Sequence, residues 1–248
     1  MRRTCPDPAV TLICPDMEKI PQNQIGKSPA QYAVKRLATP IVIDADWQKP
    51  QWQAQQPLEI RHFMGEKPAH LPKTQAKVLY DDDSIYVIFR VEDRYVRAVA
   101  KEHFDPVWQD SCVEFFFTPS ADIRQGYFNL EANCGGTMLL RHQTARNQNR
   151  RQLDLADLGR IEIAHTLGRI IEPEITDPVT WTLEYRLPLK IIENYAPLVR
   201  PAPGVTWRAN FYKCGDNTSR PHWLTWSPVE NPTPDFHLPR FFGLLHFA

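Results

Sequence analysis

Two acidic residues stand four positions apart at a predicted strand. Asp110 and Glu114 lie on either side of Val113, and residues 111–117 alternate as a strand with one apolar face does. Positions i and i+4 of a strand share a face but lie about 13 Å apart, whereas the carboxyl groups of a retaining glycosidase lie about 5–5.5 Å apart. We therefore expect the two carboxylates to accept hydrogen bonds from a polyhydroxylated ligand. A solvated strand face is the structural alternative.

An aromatic side chain precedes this strand. Trp108 is predicted to lie in a loop at the strand mouth, where an indole either covers the core or stacks on the C–H face of a sugar ring. Sugar hydroxyls also require polar partners, which Asn133 and Arg90 could supply beside Asp110 and Glu114. The predicted site therefore combines Trp108, Asp110, Glu114 and Asn133.

Other chemistry-bearing patterns are weaker. Asp81, Asp82 and Asp83 could bind calcium through carboxylate oxygens, but they also fit a hairpin turn. The basic stretch 141–151 has no interleaved aromatic side chains and is followed by Asp154, so we interpret it as a solvated loop rather than an RNA site. The sequence contains no GxSxG, HExxH, P-loop or GxGxxG motif, and its histidines are scattered. No catalytic residue is predicted.

Composition narrows the class of protein. The chain has 248 residues, 42% hydrophobic and 23% charged, with Lys plus Arg equal to Asp plus Glu at 29 each. This balance is typical of a globular protein and disfavours nucleic acid as a partner. No apolar run is long enough to span a membrane. Prolines interrupt the first residues, so we expect no signal peptide and slightly favour a cytoplasmic location over export.

Cysteine usage bears on the redox state. The five cysteines include no CxxC pair, so we expect free thiols, with disulfides as the alternative in an exported protein. In that case Cys5 and Cys14 would be the nearest pair.

The elements needed to position these residues are nearly all strands. We predict an irregular extension over 1–31 and a single domain over 32–248. Strands with period-two patterns or β-branched and aromatic content are predicted at 32–37, 76–92 (a hairpin), 111–117, 127–133, 137–141, 160–165, 181–187, 206–213, 223–226 and 242–247. One or two helical turns are predicted at 189–195. Many strands with proline-rich connections indicate an all-β sandwich or barrel.

Several segments carry a family resemblance. The chain resembles the family 9 carbohydrate-binding modules and the related DOMON β-sandwich domains, in segments 40–44, 76–93, 108–116, 181–184 and 226–245. The resemblance implies an antiparallel β-sandwich of immunoglobulin-like or jelly-roll type that binds a glycan chain end without catalysis. It places Trp108 and Phe236 as the two clamping rings and Glu114 as a ligand-bonding carboxylate. It also implies a structural calcium ion, with no cofactor required.

Three alternatives to sugar binding stay open. A haem-binding DOMON-like domain would need a Met and a His on one pocket, from among Met17, Met64 and Met138. A glycosidase would lose its turnover in Glu114→Gln. A fold used only for partner interaction would bury Trp108. A sugar-binding domain could in turn be attached to, or associate with, a glycoside hydrolase.

Overall fold

A computed structural model describes residues 28–248. Within them lie a curled sheet of fourteen strands and a two-stranded ribbon of β6 and β12. The strands are β1 (Gln31–Arg36), β2 (Leu58–Ile60), β3 (His62–Phe63), β4 (Lys73–Tyr80), β5 (Ser84–Asp93), β6 (Val96–Ala98), β7 (Cys112–Thr118), β8 (Tyr127–Asn133), β9 (Met138–Gln143), β10 (Arg151–Gln152), β11 (Glu162–His165), β12 (Ile171–Ile175), β13 (Val179–Pro188), β14 (Thr206–Cys214), β15 (Trp223–Thr225) and β16 (Gly243–Phe247). The α-helices are α1 (Pro50–Gln53), α2 (Leu155–Leu158) and α3 (Leu189–Glu193). None of these helices could cross a bilayer.

The curled sheet forms two layers. The front layer has the order β10-β9-β8-β7-β14-β16, and the back layer has the order β4-β5-β13-β11. Strand β1 joins them, because Gln31–Val34 pair with β16 while Lys35 and Arg36 pair with β4. The predicted all-β sandwich with little helix is confirmed. One difference is that both pairings of β1 are parallel, whereas the other strand pairs are antiparallel.

The main core lies between the layers. Val113, Phe115 and Phe117 point into it from β7, as the alternation of this strand predicted. Across the layers, the ring centroids of Phe89 on β5 and Phe211 on β14 lie 6.1 Å apart. Full burial of one such side chain contributes about 1.5–3 kcal/mol to the free energy of unfolding. This core fixes the other face of β7 toward the outside of the front layer.

A second covered surface lies outside the back layer. Strand β5 was predicted to bury one face only, but Tyr86 and Ile88 on its other face are also buried, against Trp52. The segment that covers this face, residues 41–52, is held by Glu184 of β13. Its carboxylate accepts hydrogen bonds from the Trp52 indole at 2.8 Å and the Ala45 amide at 2.7 Å, and it forms an ion pair with Lys49 at 2.7 Å. Sequence periodicity could not show this cover, because it is brought by a distant loop.

Candidate functional site

A cavity of about 310 Å³ opens on the outer face of the front layer, a volume within the range of small-molecule sites. Its wall includes three aromatic side chains that could stack on a ligand, together with acidic and basic groups. The lining residues are Trp108, Glu114, Phe116, Glu131, Arg141, Arg146, Asn147, Arg150, Cys214, Asp216, Trp223, Pro234, Asp235, Phe236 and His237.

The pleat of the sheet creates the cavity floor. Because alternate residues of a strand face opposite sides, Glu114 and Phe116 face outward while the residues between them enter the core. Strand register then sets two neighbours beside Glu114, namely Glu131 on β8 and Tyr212 on β14. Cys214 lies one pleat further along β14. A carboxyl pair is thus placed at the base of a half-apolar pocket.

Both floor carboxyls are removed from bulk water. Burial raises the pKa of Glu114 well above its usual range, and the neighbouring Cys214 and Glu131 add to this effect. The Cys214 thiol lies 3.2 Å from Oε1 of Glu114. Burial also raises the pKa of Glu131 to about 7, although a hydrogen bond of 2.8 Å from Asn129 opposes the shift. Near neutral pH, protonated carboxyl groups that can donate as well as accept hydrogen bonds are therefore available at this floor.

The aromatic walls come from separate parts of the chain. Trp108 lies in a short 3-10 helix, Val107–Gln109, and is half-buried. Phe236 stacks on Tyr212 with ring centroids 4.1 Å apart and an interplanar angle of 11°. Trp223 on β15 donates its indole N–H to Asp216 at 2.7 Å. Trp108 and Phe236 are therefore brought to one cavity, while Trp223 is a third ring that the sequence placed only within a strand.

His237 contributes a neutral donor. Its Nδ1 lies 3.0 Å from the side-chain amide nitrogen of Gln143, which can only donate, so Nδ1 accepts and Nε2 carries the proton. The Tyr127 hydroxyl lies 2.9 Å from the same Nδ1. Burial, followed by the nearby Arg146, lowers the pKa of His237 to about 4. The ring is therefore uncharged at neutral pH. In the sequence, His237 stands out only as part of the closing segment of the resemblance.

The basic stretch also reaches the cavity. It was predicted to be a solvated loop, and Arg146, Asn147 and Arg150 are indeed exposed, yet they line the cavity mouth with the half-buried Arg141. Arg146 forms an ion pair with Asp235 at 3.1 Å. Alternation in the predicted strand 137–141 was the sequence signal that could assign Arg141 to one face of the sheet. The sequence could not predict that the loop after β9, which contains Arg146, Asn147 and Arg150, returns to the cavity mouth.

Two predicted ligand contacts have structural partners instead. Asp110 precedes β7 rather than lying on it, so the prediction that it shares a strand face with Glu114 is wrong. It is fully buried, and its Oδ2 accepts bonds from the amides of Val99 and Ala100 at 3.0 Å each and from the Asn133 side chain at 2.9 Å. Asn133 also accepts the Thr137 amide through Oδ1 at 2.9 Å. Neither side chain lines the cavity.

Arg90 lies on the back layer, away from the cavity. It forms an ion pair with Glu92 at 2.6 Å on its own strand, β5.

The three aspartates of the first hairpin form a turn. Asp81 accepts the amides of Asp83 and Ser84 through Oδ1, at 2.9 and 2.8 Å, while Asp82 forms an ion pair with Arg36 at 2.5 Å. The carboxylates of Asp81 and Asp82 bind different partners, and the three carboxylates are not among the metal-type ligands that converge in residues 28–248, so these residues do not fit a calcium site. The turn is the alternative that the sequence left open.

Three cysteines are described, and all are buried free thiols: Cys112, Cys134 and Cys214. The proposed Cys5–Cys14 pair lies outside the described residues. Over residues 28–248, one group of three metal-type ligands converges within 4.8 Å, formed by Cys112, Glu114 and Cys214. Thiolate donors suit soft metals rather than calcium.

The two described methionines of the haem alternative, Met64 and Met138, lie in different clusters. Met64 belongs to the cluster beneath the cavity, whereas Met138 belongs to the core between the layers. Met17 lies outside the described residues.

Comparison with known proteins decides the family. The profile described as "Carbohydrate-binding family 9" matches residues 47–247, most of the chain. The chain belongs to carbohydrate-binding family 9. The family resemblance drawn from the sequence is thereby confirmed. A comparison with curated proteins gave no match.

Solved structures share the family 9 fold. A protein from Bacteroides uniformis, named as a candidate carbohydrate-binding protein, is 28% identical with a TM-score of 0.80, covering 89% of this chain and 100% of its own. A family 9 module from Caldicellulosiruptor kristjanssonii in complex with cellotriose is 16% identical with a TM-score of 0.58, covering 88% and 93%. The same organism's module in complex with glucose is 15% identical with a TM-score of 0.58, covering 88% and 96%.

Proposed function

We propose that this family 9 domain binds a sugar in the front-layer cavity without cleaving it. The observation that carries the proposal is the presence of Trp108, Phe236 and Glu114 in one cavity. Aromatic faces offer an apolar surface to the C–H face of a pyranose, while carboxyl groups bond its hydroxyls. Family membership and the glucose and cellotriose bound by modules of the same fold support this ligand class.

The polar groups are arranged for hydroxyl recognition. Glu114 and Glu131 form the floor, and the Nε2–H of His237 is a neutral donor at the wall. Asp216 is oriented by its bond from Trp223, so this acceptor position is fixed before a ligand arrives. A preformed set of donors and acceptors lowers the ordering cost of binding.

Binding without catalysis agrees with the state of the floor carboxyls. A retaining glycosidase needs one protonated carboxyl group and one ionised nucleophile. Burial instead raises the pKa of both Glu114 and Glu131, that of Glu131 to about 7, so Glu131 is only partly ionised near neutral pH. The pair is therefore suited to hydrogen bonding.

Isothermal titration calorimetry tests the proposal, with a panel of mono- and oligosaccharides that includes glucose and cellotriose. The variant Trp108→Ala should lose at least about tenfold in affinity, since stacking and burial of one ring face contribute about 1.5 kcal/mol or more. Trp47→Ala is the matched control, because Trp47 packs in the cluster outside the back layer.

The outcomes separate three cases. Saturable heat that Trp108→Ala weakens and Trp47→Ala preserves would support the proposed site. Binding that both variants retain would place the sugar elsewhere on the domain. Absence of heat with every sugar, neutral or charged, would refute sugar binding.

A further inference from the structure

Two arginines line the cavity: Arg141 lies on β9, and Arg150 immediately precedes β10. On the β9–β10 hairpin, Arg141 is opposite Gln152, and Arg151 is opposite His142. Opposite residues of an antiparallel pair share a face, and the face alternates along the strand. Arg141 therefore faces the cavity, as does Arg150, while Arg151 between Arg150 and Gln152 faces away and lies over the Tyr195 ring at 4.9 Å.

Neither guanidinium group has a carboxylate within ion-pair distance among the described residues. Arg141 donates to Gln152 at 3.3 Å and Arg150 donates to Asn147 at 3.2 Å. Burial lowers the pKa of Arg141; the nearby Glu131 carboxyl opposes this shift, and repulsion from Arg150 adds to it. Like charges held together in a partly desolvated pocket favour a bound anion.

The acidic groups of the cavity do not pair with these arginines. Asp235 is already paired with Arg146, and Asp216 is oriented toward the Trp223 indole and forms no ion pair with Arg141 or Arg150. Glu114 and Glu131 are buried on the floor and likewise form no ion pair with either arginine. The cavity thus has a rim of two arginines without ion-pair partners among the described residues, beside stacking rings and a floor that bonds hydroxyls.

We propose that the ligand is an acidic sugar of the uronic acid class, whose carboxylate binds Arg141 and Arg150 while its ring stacks on the cavity aromatics. This inference rests on the proposed function and deepens it. A guanidinium matches a planar carboxylate with two parallel hydrogen bonds, which favours a uronate over a neutral hexose. The hydroxyls opposite the carboxylate would meet Glu114 and Glu131.

The test compares matched sugars by calorimetry. Glucuronate and galacturonate are titrated against glucose and galactose, and acetate serves as the anion without a ring. We expect each uronate to bind at least about tenfold more tightly than its neutral counterpart, in line with a charge-assisted hydrogen bond. The preference should fall by about tenfold in Arg141→Gln and in Arg150→Gln and should weaken with added salt.

Arg151→Gln is the matched control, since Arg151 neighbours Arg150 in sequence but faces Tyr195. It should keep the preference for uronates, with unfolding midpoints showing that all three variants fold. Equal binding of uronic and neutral sugars would overturn the inference and leave the proposed function standing. Acetate competing as well as glucuronate would also overturn it, because the rim would then be an ion site only. If no sugar binds at all, the proposed function itself fails.

Discussion

Glu114 on β7 and Glu131 on β8 are directly opposite each other in the strand register, and both are buried at the base of the same cavity. Burial disfavours the ionisation of both carboxyls, and the adjacent Glu131 adds to the effect on Glu114. The pair therefore links the protonation of the cavity floor to both stability and ligand binding.

The free energy of unfolding should fall as pH rises through the titration of Glu131. Its pKa is raised from 4.5 to about 7 in the folded protein, so between these values the folded state holds a proton that the unfolded state has lost. Stability conferred by that proton is fully present below about pH 4.5 and absent above about pH 7. The change approaches about 3 kcal/mol.

Urea titrations across this pH range check the expectation. Glu131→Gln should remove this part of the slope, whereas the exposed control Glu66→Gln should keep it. A Glu131→Gln profile that matches the wild type would contradict the assignment.

Affinity for a uronate should rise as pH falls from about 8 to about 6. Above the pKa of Glu131, about 7, its carboxylate attracts Arg141 and repels an incoming anion; below it, the arginine is free for the ligand. Glu114, Asp216 and Asn129 also face this carboxyl, and none of them supplies a cation. Calorimetry with glucuronate should show this dependence in the wild type and a flatter one in Glu131→Gln. An unchanged slope in the variant would refute the role of Glu131.

Asp110→Ala should destabilise the domain by about 2–3 kcal/mol, because its removal leaves three donors, two of them buried, without an acceptor. Thermal or urea unfolding measures this loss. Asp83→Ala, at an exposed position of the hairpin turn, should change stability by less than about 0.5 kcal/mol. Equal stability of both variants would show that Asp110 does not support the site.

Glu184→Gln should cost about 2 kcal/mol, since the change removes the buried anion that binds Lys49 and the Trp52 indole, while the half-exposed Asp44 remains paired with Lys49. Glu162→Gln is the control, because its ion pair with Arg186 is exposed and such pairs contribute at most about 1 kcal/mol. Urea denaturation compares the two. A loss in Glu184→Gln no larger than in the control would mean that the segment over the back layer is held by packing alone.

The sequence by itself determined the longer strands and, where a strand alternates clearly, the side of the sheet that its residues take. Alternation in residues 111–117 assigned Phe115 to the core and Glu114 to the other face, because side chains alternate along a strand. The predicted strand at 181–187 lies within β13. The resemblance added the two rings, Trp108 and Phe236, which the structure places in one cavity.

Only the tertiary structure decided which polar groups meet at the site. Asp110 has the residue type and spacing of a ligand contact, yet the strand begins two residues later and loop amides take up its carboxylate. Arg150 and Trp223 gave no local signal of a shared cavity, since strand pairing and loop return over many residues bring them together. The local period of apolar residues determines which face of a strand a side chain takes. Its neighbours on that face depend on the pairing register between strands that are distant in sequence.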